Sequence, residues 1–220
     1  MVTPGSSLAD VGCDHGYLPI WLVLNGRITS AVAMDVRPGP LERARSHIRE
    51  QGLSDRIGTR LSDGLKELSP GECDSLVIAG MGGPLMERIL EDGRELLPMF
   101  REMILQPQSD IPHFRAWLVK NGFSITDEEM ITEDGKYYTV IKAGPAEEAE
   151  DLSEKDLLFG PVLIKKRSSV LYDYLIWRSG ILNAITEKLK GSKNERSEER
   201  RAEVQREQKL INEVLTAWDQ

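Results

Sequence analysis

Three carboxylates stand at corresponding points of the chain. Asp10 sits in the apolar run 8–11 just before Gly12, Asp35 closes the run 31–34, and Asp63 follows 57–61 within Ser62-Asp63-Gly64. A carboxylate at a strand end beside a glycine turn accepts hydrogen bonds from hydroxyls and amines. The first turn, Asp10-Val11-Gly12-Cys13-Asp14-His15-Gly16, lacks the third glycine of G-x-G-x-x-G, the spacing that seats a dinucleotide pyrophosphate on a helix N-terminus. A nucleoside without a pyrophosphate needs only close backbone approach and carboxylates for its hydroxyls and amino group. S-adenosylmethionine (SAM) is such a ligand. Asp10 and Asp14 suit its polar end, Asp35, about 20 residues beyond the turn, suits the ribose hydroxyls, and Asp63 suits the adenine amine. Each Asp also has a plain structural reading as a helix cap, but capping alone poorly explains three acidic strand ends in register.

A second glycine-rich break, Ala79-Gly80-Met81-Gly82-Gly83-Pro84, follows the buried run 75–79. A flexible joint explains one glycine there better than three. In open α/β sheets ligands bind outside the carboxyl ends of the strands, so this loop is expected to face the same cleft as the first turn.

The elements that must position these residues alternate. Strands are expected at 8–11, 31–35, 57–61, 75–79 and 102–106, with helices at 17–24, 38–52, 65–68, 85–90 and 111–120 between and after them. Residues 123–131 and 137–143 read as an antiparallel pair around Glu133-Asp134-Gly135-Lys136. Residues 1–6 read as a linker. The pattern gives an α/β fold with a mostly parallel sheet and helices on both faces, in the order of the Rossmann-like class I SAM-dependent methyltransferases.

The acidic linker 144–151 divides a domain at 1–146 from an arm at 152–220. In the arm, Leu171, Leu175, Arg178, Leu182, Ile185 and Leu189 follow 4-3 spacing, the break 191–194 intervenes, and Leu210, Ile211, Val214, Leu215 and Trp218 resume it. An antiparallel helical coiled-coil hairpin is expected.

The net charge is −8 in 220 residues, unevenly spread: residues 1–150 carry 15 Lys/Arg against 24 Asp/Glu, and 151–220 carry 13 against 12. The excess acid of the first part suits a cationic cofactor. The arm's Lys165, Lys166, Arg167, Lys190, Lys193 and Arg196 gather toward its two ends and suit a polyanion, with a solvated helix surface as the bland alternative. Two cysteines far apart, Cys13 and Cys73, fit buried thiols in a reducing compartment. Three scattered histidines with no C-x-x-C pair give no reason to expect a metal. No long apolar span or leader pattern appears, so a cytoplasmic protein is expected, and its oligomeric state, a monomer among the options, is left open.

The stretches ADVGCDHGYLP (9–19), SDG (62–64), IAGMGGPLM (78–86), LQPQ (105–108) and EDGKYY (133–138), with Asp35, resemble the bacterial tRNA (adenine-22-N1)-methyltransferases over nearly all of 7–143. The resemblance implies SAM as cofactor, tRNA as partner, a coiled-coil arm, and a helix ahead of the first strand that this sequence does not display. With the turns and strand ends read above, the cofactor side is expected to comprise Asp10, Gly12, Cys13, Asp14, His15, Gly16, Asp35, Val36, Ser62, Asp63, Gly64, Ala79 and Gly80. The acceptor side is assigned to Asp14, Tyr17, Gly80, Met81, Gly82 and Gln106. Tyr17 and His15 are the rings available to stack on a splayed base, Gln106 and Gln108 are placed to read its edge, and Trp21, Trp117 and Trp177 read as packing residues. The adenine N1 lone pair is free at neutral pH, so the chemistry asks for orientation and charge stabilisation rather than a strong base. Competing readings are a methyltransferase for another RNA or a small molecule, a nonenzymatic RNA-binding SAM fold, and a nicotinamide oxidoreductase. The last should show the missing glycine.

Overall fold

The computed structural model describes residues 1–148, 151–191 and 194–219. Strands and helices alternate as β1 (Ser6–Val11), α1 (Tyr17–Leu24), β2 (Ile28–Asp35), α2 (Pro38–Glu50), β3 (Ile57–Leu61), β4 (Ser75–Met81), α3 (Gly83–Asp92), β5 (Glu102–Pro107) and α4 (Ile111–Lys120). The hairpin β6 (Phe123–Glu133) and β7 (Lys136–Pro145) completes a seven-stranded sheet in the order β3-β2-β1-β4-β5-β7-β6. β3 through β5 are parallel and β7 pairs antiparallel with β5. This is the α/β sheet expected from the alternation. The order reverses between β1 and β4, and the crevice at their carboxyl ends is where such sheets bind ligands.

β1 lies at the centre, with Leu8 and Ala9 wholly buried, as a strand covered on both faces requires. Local chemistry sets the element ends. Pro38 and Pro40 open α2 with preset φ, and Gly52, at φ 67°, lies just beyond its end. Asp134 and Gly135, at φ 49° and 71°, make the two-residue turn that matches the twist of β6 and β7.

Three local expectations are corrected. Residues 65–68 form a turn instead of a helix. Four residues close too few bonds to offset helix nucleation, and Ser62 Oγ stabilises the alternative by accepting the Glu67 N–H and donating to the Gly64 carbonyl. Residues 1–6 are not a free linker. Thr3 donates from its backbone N–H and its hydroxyl to the Glu102 carboxylate, each at 2.6 Å, and Ser6 already belongs to β1. Two short helices, α5 (Glu154–Phe159) and α6 (Pro161–Lys165), occupy a stretch with no expected structure. Their signals are local: Ser153 and Asp156 form a capping box, and Pro161 opens α6.

The chain forms two compact units, Met1–Glu128 with Thr139–Asp151, and Glu129–Tyr138 with Leu152–Gln220. The tip of the β6–β7 hairpin therefore groups with the C-terminal helices. In the second unit, α7 (Ser169–Leu189) and α8 (Glu195–Trp218) share a core containing Leu171, Leu175, Leu182, Val204, Ile211 and Val214. Arg178 holds Glu207 through two hydrogen bonds at 2.6 and 2.8 Å, which accounts for a charged residue in the apolar seam. Ser179 receives a bond from Gln208, and Arg167 donates to the carbonyls of Trp218 and Ala217. Arg167 meets Trp218 whereas Arg178 and Ser179, further along, meet Glu207 and Gln208, so the two helices run antiparallel. Tyr137 packs on Tyr174 and Trp177 against the same core, and both Tyr137 and Tyr138 are half-buried.

Candidate active site

The carboxyl ends of β1 to β4 converge on one cavity of ≈ 460 Å³. After Val11 the chain turns through Gly12 (φ 81°), Asp14 (φ 43°) and Gly16 (φ 70°) into α1. The N–H groups of Gly12 and Cys13 both donate to the Met34 carbonyl, at 2.8 and 2.9 Å, which ties this turn to the end of β2. At φ 81° Gly12 adopts a backbone conformation that L side chains rarely take, and a Cβ there would also displace the flexible end of Met81. Asp14 holds a left-handed conformation that costs a non-glycine residue energy. Its carboxylate accepts from Arg43 at 3.2 Å.

At the end of β2, Asp35 is buried and its Oδ1 accepts the Arg37 N–H at 2.9 Å. Beyond β3, Asp63 pairs with Lys66 at 2.6 Å and faces Arg88 at 3.6 Å. The hydrogen bond from Lys66 holds its carboxyl below the usual range. In the β4 loop, Gly80 (φ 76°) donates its N–H to Gln106 Oε1 at 2.9 Å. The Met81 carbonyl accepts from Gln108, and the Gly83 N–H donates to Ser109.

Of the expected site residues, Gly12, Asp14, Asp35, Val36, Ser62, Asp63, Gly64, Ala79, Gly80 and Met81 line the cavity together. Asp10, Cys13, His15, Gly16, Tyr17, Gly82 and Gln106 are not among its lining residues. Asp10 is buried, and desolvation, with the charge of Asp35 behind it, pushes its carboxyl up to about 7. Burial pushes the Cys13 thiol up to about 12, aided by Asp10 and Asp35, so Cys13 is no nucleophile at neutral pH. His15 does not cap α1. Its ring lies alongside those of Tyr17 and His47. Trp21, expected to pack, is 57% exposed.

Sequence reasoning missed Val11, Arg37, Leu85, Arg88 and Ile89 in the lining. Leu85, Arg88 and Ile89 follow i, i+3, i+4 spacing on α3 directly after the glycine loop, and that helical face was a legible signal. The six basic residues of the arm fall into separate groups. Lys165, Lys166 and Arg167 lie at the end of the hairpin where Arg167 meets Trp218, whereas Lys190 and Arg196 lie at the other end, about 30 Å away along a 21-residue helix. Lys193 lies outside the described residues. Lys166 pairs with Glu129 and Lys190 with Glu187. A larger open groove of ≈ 800 Å³ runs along α7 and α8, but it holds none of the expected site residues.

The cavity is of a size for one nucleoside-like ligand. Its glycines admit close backbone approach, and the carboxylates of Asp14, Asp35 and Asp63 in its lining fit a group that brings positive charge. Among the described residues no cluster of three or more His, Cys, Asp or Glu is arranged to hold a metal ion, and no helix is long and apolar enough to cross a membrane.

Residues 8–213 match the TrmK family, described as tRNA (adenine(22)-N(1))-methyltransferase. The Bacillus subtilis tRNA (adenine(22)-N(1))-methyltransferase is 34% identical over 216 residues, covering 96% of this chain and 91% of that protein. The crystal structure of the B. subtilis TrmK superposes with a TM-score of 0.84 at 32% identity, covering 97% and 93%. That of Streptococcus pneumoniae Sp1610 in complex with S-adenosyl-L-methionine gives 0.81 at 35% identity, covering 98% and 94%. A matching family signature, 34% identity over 96% of the chain and a TM-score of 0.84 with a solved relative agree: the chain belongs to the TrmK family of tRNA (adenine(22)-N(1))-methyltransferases.

Proposed function

We propose that this protein transfers the methyl group of SAM to N1 of adenine 22 in tRNA. The observation that carries the reading is the convergence of Gly12, Asp14, Asp35, Asp63 and Gly80 on one cavity at the sheet's switch point, in a chain of the TrmK family. SAM, when bound, supplies a methyl group already activated by its sulfonium. Asp35 accepts hydrogen bonds from the ribose hydroxyls, with Arg37 N–H fixing one of its oxygens. Asp63 meets the adenine amine of the cofactor and shares its charge with Lys66 and Arg88. Asp10 and Asp14 compensate the positive end.

On the acceptor side, the carbonyls of the loop from Ala79 to Gly82 take the N6 amine of the target, and Gly80 is oriented by Gln106. Neutral adenine N1 needs no strong base. What these residues contribute is alignment of the lone pair with the methyl and stabilisation of the charge it delivers. Residues 1–146 form the methyltransferase domain and 152–220 an arm whose Lys165, Lys166, Arg167, Lys190, Lys193 and Arg196 add affinity through tRNA phosphates. The exposed ion pairs of Lys166 and Lys190 are weak enough to be exchanged for phosphate. Such an enzyme works in the cytoplasm, where tRNA is matured.

The test is methyl transfer from labelled SAM to an unmodified tRNA transcript, beside the same transcript with guanine in place of adenine 22. Incorporation into the first alone is expected. Incorporation into both would move the target elsewhere in the RNA, and SAM binding without incorporation into either would reject tRNA as the substrate.

A further inference from the structure

Helix α1 contains no charged residue, yet its outer face is open to solvent. Tyr17 is 64% exposed, Trp21 57% and Leu24 56%, and their i, i+4, i+7 spacing puts them on a single stripe. A solvated helix face is ordinarily polar, and an exposed apolar stripe marks a surface that something covers.

The start of the stripe is built from rings. The planes of His15, Tyr17 and His47 lie within 18° of one another, with centroids 5.1 to 5.7 Å apart. His47 Nδ1–H donates to the His15 carbonyl at 3.0 Å, so the arrangement is locked between α1 and α2 before a ligand arrives. None of these rings lines the cofactor cavity, but Asp14, next to His15, does, and its carboxylate pairs with the half-exposed Arg43 at 3.2 Å. Preset aromatic faces beside a cation fit a planar base attached to a phosphate. A purely apolar protein partner would account for Leu24 but would leave Arg43 and the polar ring edges unused.

We propose that the face formed by Tyr17, His15 and His47 is a stacking platform for an unpaired base of the tRNA next to the methylated adenine. Trp21 extends the platform along the RNA, and Arg43 meets the adjoining phosphate. The assignment rests on tRNA being the substrate. Because the rings lie outside the cavity, they hold RNA and not the methyl donor.

The experiment compares wild type, Tyr17→Leu, Tyr17→Phe and Trp21→Ala in the full-length protein. Tyr17 is so exposed that its replacement leaves the core untouched, and SAM affinity with thermal melting verifies folding. Tyr17→Leu should weaken binding of an end-labelled tRNA transcript, and lower kcat/KM for tRNA through KM, by about tenfold or more, with SAM affinity within about twofold. Tyr17→Phe keeps the ring and should restore most of the loss, and Trp21→Ala should show a smaller loss of the same kind. Unchanged RNA affinity in Tyr17→Leu overturns the platform. So does a parallel fall in SAM affinity, which would place Tyr17 in the cofactor turn, or a dimer in solution that Trp21→Ala dissociates with RNA binding unaltered. RNA affinity tests the platform wherever the methyl lands, while the guanine-22 transcript tests the target, so the two readings fail separately.

Discussion

Gln106 Oε1 accepts the backbone N–H of Gly80 at 2.9 Å. A side chain at the end of β5 therefore fixes a peptide at the end of β4, in the loop that lines the cavity. Expected from the sequence as a reader of the base edge, Gln106 has its carbonyl oxygen engaged within the protein.

Gln106→Ala should free the Gly80 peptide and lower kcat about five- to tenfold, the scale of one hydrogen bond. SAM affinity should change less, because the first turn and Asp35 are untouched. Gln106→Glu retains an acceptor at the same reach and should recover part of the loss. Single-turnover methylation with saturating tRNA measures it, and an alanine variant as fast as wild type would remove Gln106 from the positioning role.

Asp10 gives the unliganded protein a pH signature. Its carboxyl rises from 3.8 to about 7 in the fold through burial and then the charge of Asp35. The folded state keeps a proton that the unfolded chain releases near pH 4, so this group's contribution to stability falls as pH climbs from about 4 through about 7. At ~1.4 kcal/mol per pH unit the ceiling on the loss is about 4 kcal/mol. Urea unfolding between pH 5 and 8 should show the decline, and Asp10→Asn should flatten it. A cationic ligand favours the ionised carboxyl, so SAM should bind more tightly at pH 8 than at pH 6. A wild type whose stability matches that of Asp10→Asn at every pH would contradict this.

Arg115 and Glu128 form a buried pair, 1% and 0% exposed, joined at 2.8 Å. Arg115→Leu strands a carboxylate in the interior and should cost about 3–5 kcal/mol, whereas replacing both with Leu should recover much of it. A double-mutant cycle by denaturation measures the difference. Additive single losses would show that the two side chains act separately.

In the arm, Arg167 caps the C-terminal carbonyls of α8, while Arg196 is exposed at the opposite end of the hairpin. Arg167→Ala should lower the melting temperature. Arg196→Ala should leave stability alone, weaken tRNA binding without regard to base identity, and reduce the salt slope by about one. Binding titrations across salt concentrations decide, and an unchanged slope would take Arg196 off the RNA.

What the chain determined by itself is local. Glycine at Gly12, Gly16 and Gly80 fixed the turns, because positive φ there costs other residues energy. Apolar runs closed by Asp10, Asp35 and Asp63 fixed the strand ends, and the 4-3 spacing from Leu171 to Leu189 fixed the apolar stripe of α7, since each of these patterns is written within a few residues. Those patterns sufficed for the succession of strands and helices along the chain and for ten of the residues that line the cavity. Tertiary structure alone decided which strangers in sequence meet. It gave Gln106 to Gly80, His47 to the ring of Tyr17 and Arg115 to Glu128, and it turned Trp21 outward. Those pairings depend on sheet register and on the rotation of each helix about its own axis. Register and rotation are set by the packing of the whole core, so no short stretch of sequence carries them.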